Sequence, residues 1–115
     1  MKKIEAIIRP EKLEDVKSAL EDRGILGMTV TQVSGRGRQK GIALQWRAGE
    51  YRVEFLPKVK LEIVLNDDEC NAAVDVICKS ARTGKVGDGM IFVLPVENVV
   101  RVRTADISEA LVKTK

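Results

Sequence analysis

Two stretches of this 115-residue chain run strand–helix–strand, and that duplication limits the possible folds more than any other feature. The first spans residues 2–34 and the second residues 58–96. In the first, Ala6-Ile7-Ile8 closes a short run suited to a buried strand, and Arg9-Pro10 starts a helix. Leu13, Val16, Ala19 and Leu20 fall on one face of that helix, and Gly24 is its expected stop. Met28 to Val33 reads as a second strand, with Met28, Val30 and Gln32 on one face and Thr29, Thr31 and Val33 on the other. In the second copy, Val59, Leu61, Ile63 and Leu65 alternate with Lys60, Glu62 and Val64. Asn66-Asp67-Asp68-Glu69 then combines an N-cap residue with first-turn acids and a capping-box glutamate. Cys70, Ala73, Val74, Ile77 and Ala81 form a helical stripe, and residues 91–96 read as a strand. Two such units predict an α+β, ferredoxin-like double βαβ sandwich with both helices on one face of the sheet. The opposite face would lie open unless other chains cover it, so an oligomer is expected.

Between the copies, Gly35 to Lys60 shows no clear period and reads as a long irregular loop. It contains the only tryptophan, Trp46, and the only tyrosine, Tyr51. Long irregular segments in small domains are commonly functional or disordered. Beyond the second copy, Val99 to Arg103 reads as a short strand. Ile107, Ala110 and Leu111 suit one or two helical turns.

Several functions are excluded by what the chain lacks. It has no histidine, and its two cysteines, Cys70 and Cys78, show no metal-ligand spacing. A zinc site, a histidine base and a histidine-activated nucleophile are therefore ruled out. Eight residues apart on a helix, the cysteines lie beyond disulfide reach and read as reduced core thiols. No apolar run approaches the ~20 residues that span a bilayer. The opening Met1 to Ile8 carries Glu5 and ends at Arg9-Pro10, too short for an export signal. The net charge of +3 permits an anionic ligand without demanding nucleic acid.

Three features remain once a core is assigned: Gly35-Arg36-Gly37-Arg38-Gln39-Lys40-Gly41, Thr83-Gly84-Lys85-Val86-Gly87-Asp88-Gly89, and Arg101-Val102-Arg103. Taken singly, each glycine loop reads first as a plain turn, and the arginines as a solvated strand face. Together they suit a polyphosphate, because glycine turns expose backbone N–H groups and arginine supplies forked cationic donors. Neither loop has the spacing of a Walker A or dinucleotide-binding fingerprint.

These residues, with Met1 to Pro10, Gly27-Met28-Thr29-Val30, Glu50-Tyr51, Phe55 to Lys60, Ala81-Arg82-Thr83-Gly84, Ile91-Phe92-Val93 and Arg101 to Thr104, carry a resemblance that runs nearly end to end. The chain resembles the PII family of nitrogen-signalling proteins. Arg9 to Leu13 and Gly35-Arg36-Gly37 look more like its archaeal, ammonium-channel-associated branch. The resemblance implies one PII-like domain over residues 1–115, assembled as a homotrimer, with a T-loop at 36–55, a B-loop at 82–90 and a C-loop at 101–115. It implies ATP or ADP bound in clefts between subunits. Gly27, Met28, Thr29 and Val64 would surround base and ribose. Gly35, Gly37, Arg38, Gln39, Gly87, Asp88, Gly89 and position 90 would line the phosphates. Arg101, Val102 and Arg103 would reach in from a neighbour. Gln39 would hold Mg²⁺, and 2-oxoglutarate would meet Gln39, Lys40, Gly41 and Lys58. Arg47 matches the residue that enters an ammonium channel in relatives, and Tyr51 the tyrosine uridylylated in some of them.

The implied function is non-enzymatic: a reporter of nitrogen and energy status that regulates an ammonium channel or a nitrogen-assimilation partner through the T-loop. At most it would hydrolyse ATP slowly and incidentally. The implied location is the cytoplasm, with recruitment to the inner membrane face where a channel is the partner. The competing reading is a small basic ferredoxin-like nucleic-acid binder, which would call for aromatic residues on the central strands. Three positions depart from the family pattern. Met90 replaces the usual lysine or arginine, Trp46 to Tyr51 replaces a Tyr-Arg-Gly-Ala-Glu-Tyr signature, and Ala105 replaces a glycine.

Overall fold

The computed structural model describes residues 1–37, 42–46, 49–53 and 55–108, the side chains of 42–46, 49–53 and 108 excepted. The four principal strands are β1 (Lys2–Ile8), β2 (Thr29–Gly35), β5 (Leu56–Leu65) and β6 (Gly89–Pro95). They form one antiparallel sheet in the order β2-β5-β1-β6. Helix α1 (Leu13–Asp22) joins β1 to β2, and α2 (Asp67–Ala81) joins β5 to β6. Each strand–helix–strand unit is thus split by a strand of the other, as a ferredoxin-like α+β sheet requires.

The core follows from period two in the strands and period 3.6 in the helices. Ile4, Ala6 and Ile8 of β1 and Val59, Leu61, Ile63 and Leu65 of β5 are buried against Val16, Leu20, Cys70, Ala73, Ile77 and Ala81 of the helices. A fully buried aliphatic side chain of this kind is worth roughly 1.5–3 kcal/mol. Helix α1 ends where expected: Gly24 has φ +79°, its N–H donates to Glu21 O at 2.9 Å, and the Ile25 N–H donates to Leu20 O at 3.0 Å. Buried Ile25 and Leu20 complete this left-handed stop.

Four expectations change. Pro10–Lys12 form a 3-10 turn, and α1 proper begins at Leu13. Asn66 is the N-cap of α2 in extended conformation, but its side chain makes no capping hydrogen bond. Cys78 is exposed, because it falls outside the 70-73-77-81 stripe; only Cys70 is a core thiol. The segment read as irregular contains β3 (Ile42–Trp46) paired antiparallel with β4 (Gly49–Val53), Leu44 opposite Tyr51.

A fifth correction concerns the C-terminal arginines. Strand β7 is only Val99–Val100 and pairs with β8, Ile107–Ser108. Arg101, Val102 and Arg103 lie in the connection, closed by Ala105 N–H to Arg101 O at 2.7 Å and Arg101 N–H to Asp106 O at 3.0 Å. They therefore do not share a strand face. Residue 107 is extended rather than helical; Ala110 and Leu111 lie outside the described residues.

The sheet face away from the helices carries Lys3, Glu5, Lys60 and Glu62. Lys3 Nζ lies 2.6 Å from Glu62 and 3.2 Å from Glu5. The hydrogen bond to Glu62 raises the Lys3 pKa and lowers that of Glu62. Along the edge, Met90, Phe92 and Leu94 stand opposite Ile7, Glu5 and Lys3, and all three are exposed. A neutralised ion-pair cluster bordered by exposed apolar side chains is an unusual surface for an uncovered sheet.

Candidate functional site

Strand register assembles the site. Ile8, the last residue of β1, pairs with Val59 of β5 on one side and Gly89 of β6 on the other. The next residue, Arg9, therefore emerges between Lys58 and Asp88, which lie far apart in sequence. Its Nε donates to Asp88 Oδ1 at 3.0 Å, and its Nη2 donates to Val86 O at 2.8 Å. Lys58 Nζ donates to Gly87 O. Three segments thus meet at one end of the sheet.

The glycine loop is closed from inside. Helix α2 stops at Ala81 because Arg82 is extended, with φ −72° and ψ 132°. The Asp88 carboxylate then accepts from the N–H groups of Thr83 and Gly84, both at 2.9 Å, and from the Thr83 hydroxyl. The Lys85 N–H donates to Thr83 Oγ1 at 3.2 Å. The turn needs backbone that side-chain-bearing residues avoid: Gly87 has φ +95° and Gly89 φ +113°. At Gly89 the backbone of β1 comes so close that no Cβ fits.

Electrostatics follow from these contacts. The Thr83 hydroxyl, then Arg9 and the Thr83 and Gly84 amides, hold the Asp88 carboxyl far below the ordinary carboxylate range, outweighing partial desolvation. Burial, reinforced by Arg9, lowers the Lys58 pKa against the opposing pull of Glu11 and Asp88. A depressed carboxylate stabilises the fold above its unfolded pKa and loses that contribution as pH falls toward the folded value. Wild type is therefore expected to be more stable than Asp88→Asn at neutral pH, with the gap closing only below about pH 4. Urea unfolding at stepped pH measures it; a gap that stays constant down to pH 2 would contradict this assignment.

The residues singled out in the sequence distribute as follows. Gly35 ends β2 opposite Leu56, and a Cβ placed on it would lie 3.5 Å from Lys58 Cγ. Gly35, Lys58, Gly87, Asp88 and Gly89 thus gather at one end of the sheet, with Gly37 two residues beyond Gly35. Thr29 opens β2 opposite Glu62, so Gly27, Met28, Thr29 and Val64 occupy the other end. Lys58 and Val64 share the open face of β5, about 20 Å apart along the strand. Met90 is 63% exposed at the start of β6. Arg101, Val102 and Arg103 are exposed in the hairpin of a separate two-stranded sheet. Arg38, Gln39, Lys40, Gly41 and Arg47 lie outside the described residues; Tyr51 is placed by its backbone on β4. A shallow cavity of about 400 Å³ opens beside Lys58, walled by Pro10, Val33 and Pro57 among others.

Sequence reasoning missed Arg9 and Thr83 as site residues. Arg9 read as a helix start and as part of the family resemblance but not as a site residue, since its partner is 79 positions away. Thr83 was visible within the loop, but nothing local showed that its hydroxyl meets Asp88. Among the described residues no cluster of acids and cysteines could hold a metal ion, and no helix is long and apolar enough to cross a membrane.

Residues 1–106 match a family model described as nitrogen regulatory protein P-II. The chain is 58% identical over 106 residues to nitrogen regulatory protein P-II 2 of Methanothermobacter thermautotrophicus, covering 92% of each chain. It is 56% identical over 109 residues to nitrogen regulatory protein P-II of Pasteurella multocida, covering 95% of this chain and 97% of that one. With nitrogen regulatory protein P-II 1 of Escherichia coli it shares 55% over 112 residues, 97% of this chain and all of that one.

Proposed function

Because the chain belongs to the nitrogen regulatory protein P-II family, whose members are named as regulators rather than enzymes, we propose that it senses ATP or ADP together with 2-oxoglutarate. Binding takes place in clefts between the subunits of a homotrimer. The observation that best supports this reading is the convergence of Lys58, Gly35 and the Gly87–Gly89 turn at one end of the sheet. A lysine ammonium beside a glycine turn suits an anion.

In this reading Gly35 at the end of β2, Gly37, Arg38 and Gln39 of the T-loop base and Gly87 to Met90 of the B-loop hold the phosphates. Gly27, Met28, Thr29 and Val64 hold the base and ribose at the far end of β5. Arg101 and Arg103, with Val102, come from the neighbouring subunit. Exposure of all three on a hairpin suits that role. Gln39 carries Mg²⁺, and Gln39, Lys40, Gly41 and Lys58 receive the dicarboxylate. Trimer formation covers the open sheet face, where pre-paired Lys3, Glu5 and Glu62 lower the cost of burying charge.

Occupancy is transmitted by residues 36–55, provided the ligands favour different arrangements of that segment. Its tip, with Arg47 and Tyr51, meets the partner, an ammonium channel or another nitrogen-metabolism protein reached from the cytoplasm. The nucleic-acid reading gains nothing from the strands, whose open face carries lysine and glutamate instead of stacking aromatics at its centre.

Titration calorimetry with ATP, alone and then with 2-oxoglutarate and Mg²⁺, tests this function. Saturable ATP binding that tightens in the presence of both additions is the expected result. Absence of ATP binding would overturn it.

A further inference from the structure

We propose that Arg9 and Thr83 are positioning residues for the glycine loop, acting on nucleotide binding through Asp88 and not by touching the nucleotide. The inference rests on the anion-binding role proposed above, and it explains an oddity of that role: a carboxylate sits in the middle of a loop meant for phosphate.

Asp88 is turned inward. Its two oxygens take the amides of Thr83 and Gly84, the Thr83 hydroxyl and the Arg9 guanidinium. Three consequences follow. The N–H groups of residues 83 and 84 are committed to Asp88, and that of Lys85 to Thr83, so a bound anion must be met by the turn that follows. The Asp88 charge, which would repel a phosphate, is matched by Arg9 at 3.0 Å. Finally, because Arg9 also holds Val86 O, it ties both ends of the 86–88 turn to the end of β1. Arg9 is carried by the register of the sheet, so the rigid core adds an anchor to the loop's own short-range bonds.

A double-mutant cycle separates this role from direct ligand contact. Arg9→Gln and Asp88→Asn are each expected to weaken ATP binding about tenfold by calorimetry. If Arg9 works through Asp88, the double variant loses little more than either single change. Losses that multiply to about a hundredfold, or an Arg9→Gln protein that binds ATP like wild type, would overturn the proposal. Thr83→Val, at an exposed position away from the core, supplies a variant that folds independently of the Arg9 contact. It is expected to weaken ATP binding while lowering the melting temperature no more than Asp88→Asn does.

Amide hydrogen exchange reads the loop without nucleotide. Exchange at Thr83 and Gly84 should quicken at least tenfold in Arg9→Gln, with core strand β5 unaffected; unchanged exchange there would refute the positioning role. If wild type failed to bind ATP, the functional reading would fall, while the exchange measurement would still decide whether Arg9 organises the loop.

Discussion

Gly89→Ala is expected to destabilise the protein by roughly 3–5 kcal/mol, enough to remove most of the margin of a small domain. A Cβ on residue 89 would lie 1.8 Å from the Ile7 carbonyl oxygen and 2.9 Å from its carbon. Both are backbone atoms of β1, a central strand with ladder partners on each side, so neither can step aside cheaply. The residue also has φ +113°, a conformation that alanine adopts only with strain. Relief would require breaking the pairing of Ile8 with Gly89, where β6 begins and where Arg9 is aimed. Urea unfolding should therefore show a much lower midpoint, or the variant should fail to accumulate as folded protein. The matched control is Gly37→Ala, since a Cβ there meets nothing within 4 Å. A Gly89→Ala midpoint within about 1 kcal/mol of wild type would show that β1 and β6 are not this close.

Met90→Lys is expected to tighten ATP binding tenfold or more. Position 90 directly follows the turn formed by Gly87, Asp88 and Gly89, and it stands opposite Ile7 on the open face. The methionine side chain is largely exposed, so replacing it should change stability by no more than about 0.5 kcal/mol. A lysine there would bring a flexible ammonium to the phosphate side of the site. One charge-assisted hydrogen bond is worth about 1.5–3 kcal/mol, and each 1.4 kcal/mol is a factor of ten in affinity. Calorimetry of wild type and variant under the same salt conditions measures the difference. Equal affinities would mean either that another cation already serves the phosphates or that position 90 does not face them.

The alternation from Val59 to Leu65 and the stripe of Cys70, Ala73, Ile77 and Ala81 were legible because each depends on short-range periodicity. The β3–β4 hairpin was missed, although Ile42, Leu44 and Trp46 alternate and Tyr51 and Val53 stand opposite Leu44 and Ile42 in the ladder. The flanking glycines and charged residues obscured that period. Arg101 and Arg103 were misread for a related reason. Spacing of two fits a strand, but β7 ends at Val100, and the chain turns back through Ala105 at φ +58° to pair with Ile107.

What the sequence by itself determined is the four principal strands and two helices, the core face of β5 and of both helices, the ferredoxin-like class and the family. All of these follow from local period and from motifs in order. Only the tertiary structure decided that Arg9, Lys58 and Asp88 meet at one end of the sheet. Their meeting depends on β1 lying between β5 and β6 in one register, a long-range pairing that leaves no local signature. A slip of one residue would turn every side chain of β1 to the other face and separate all three.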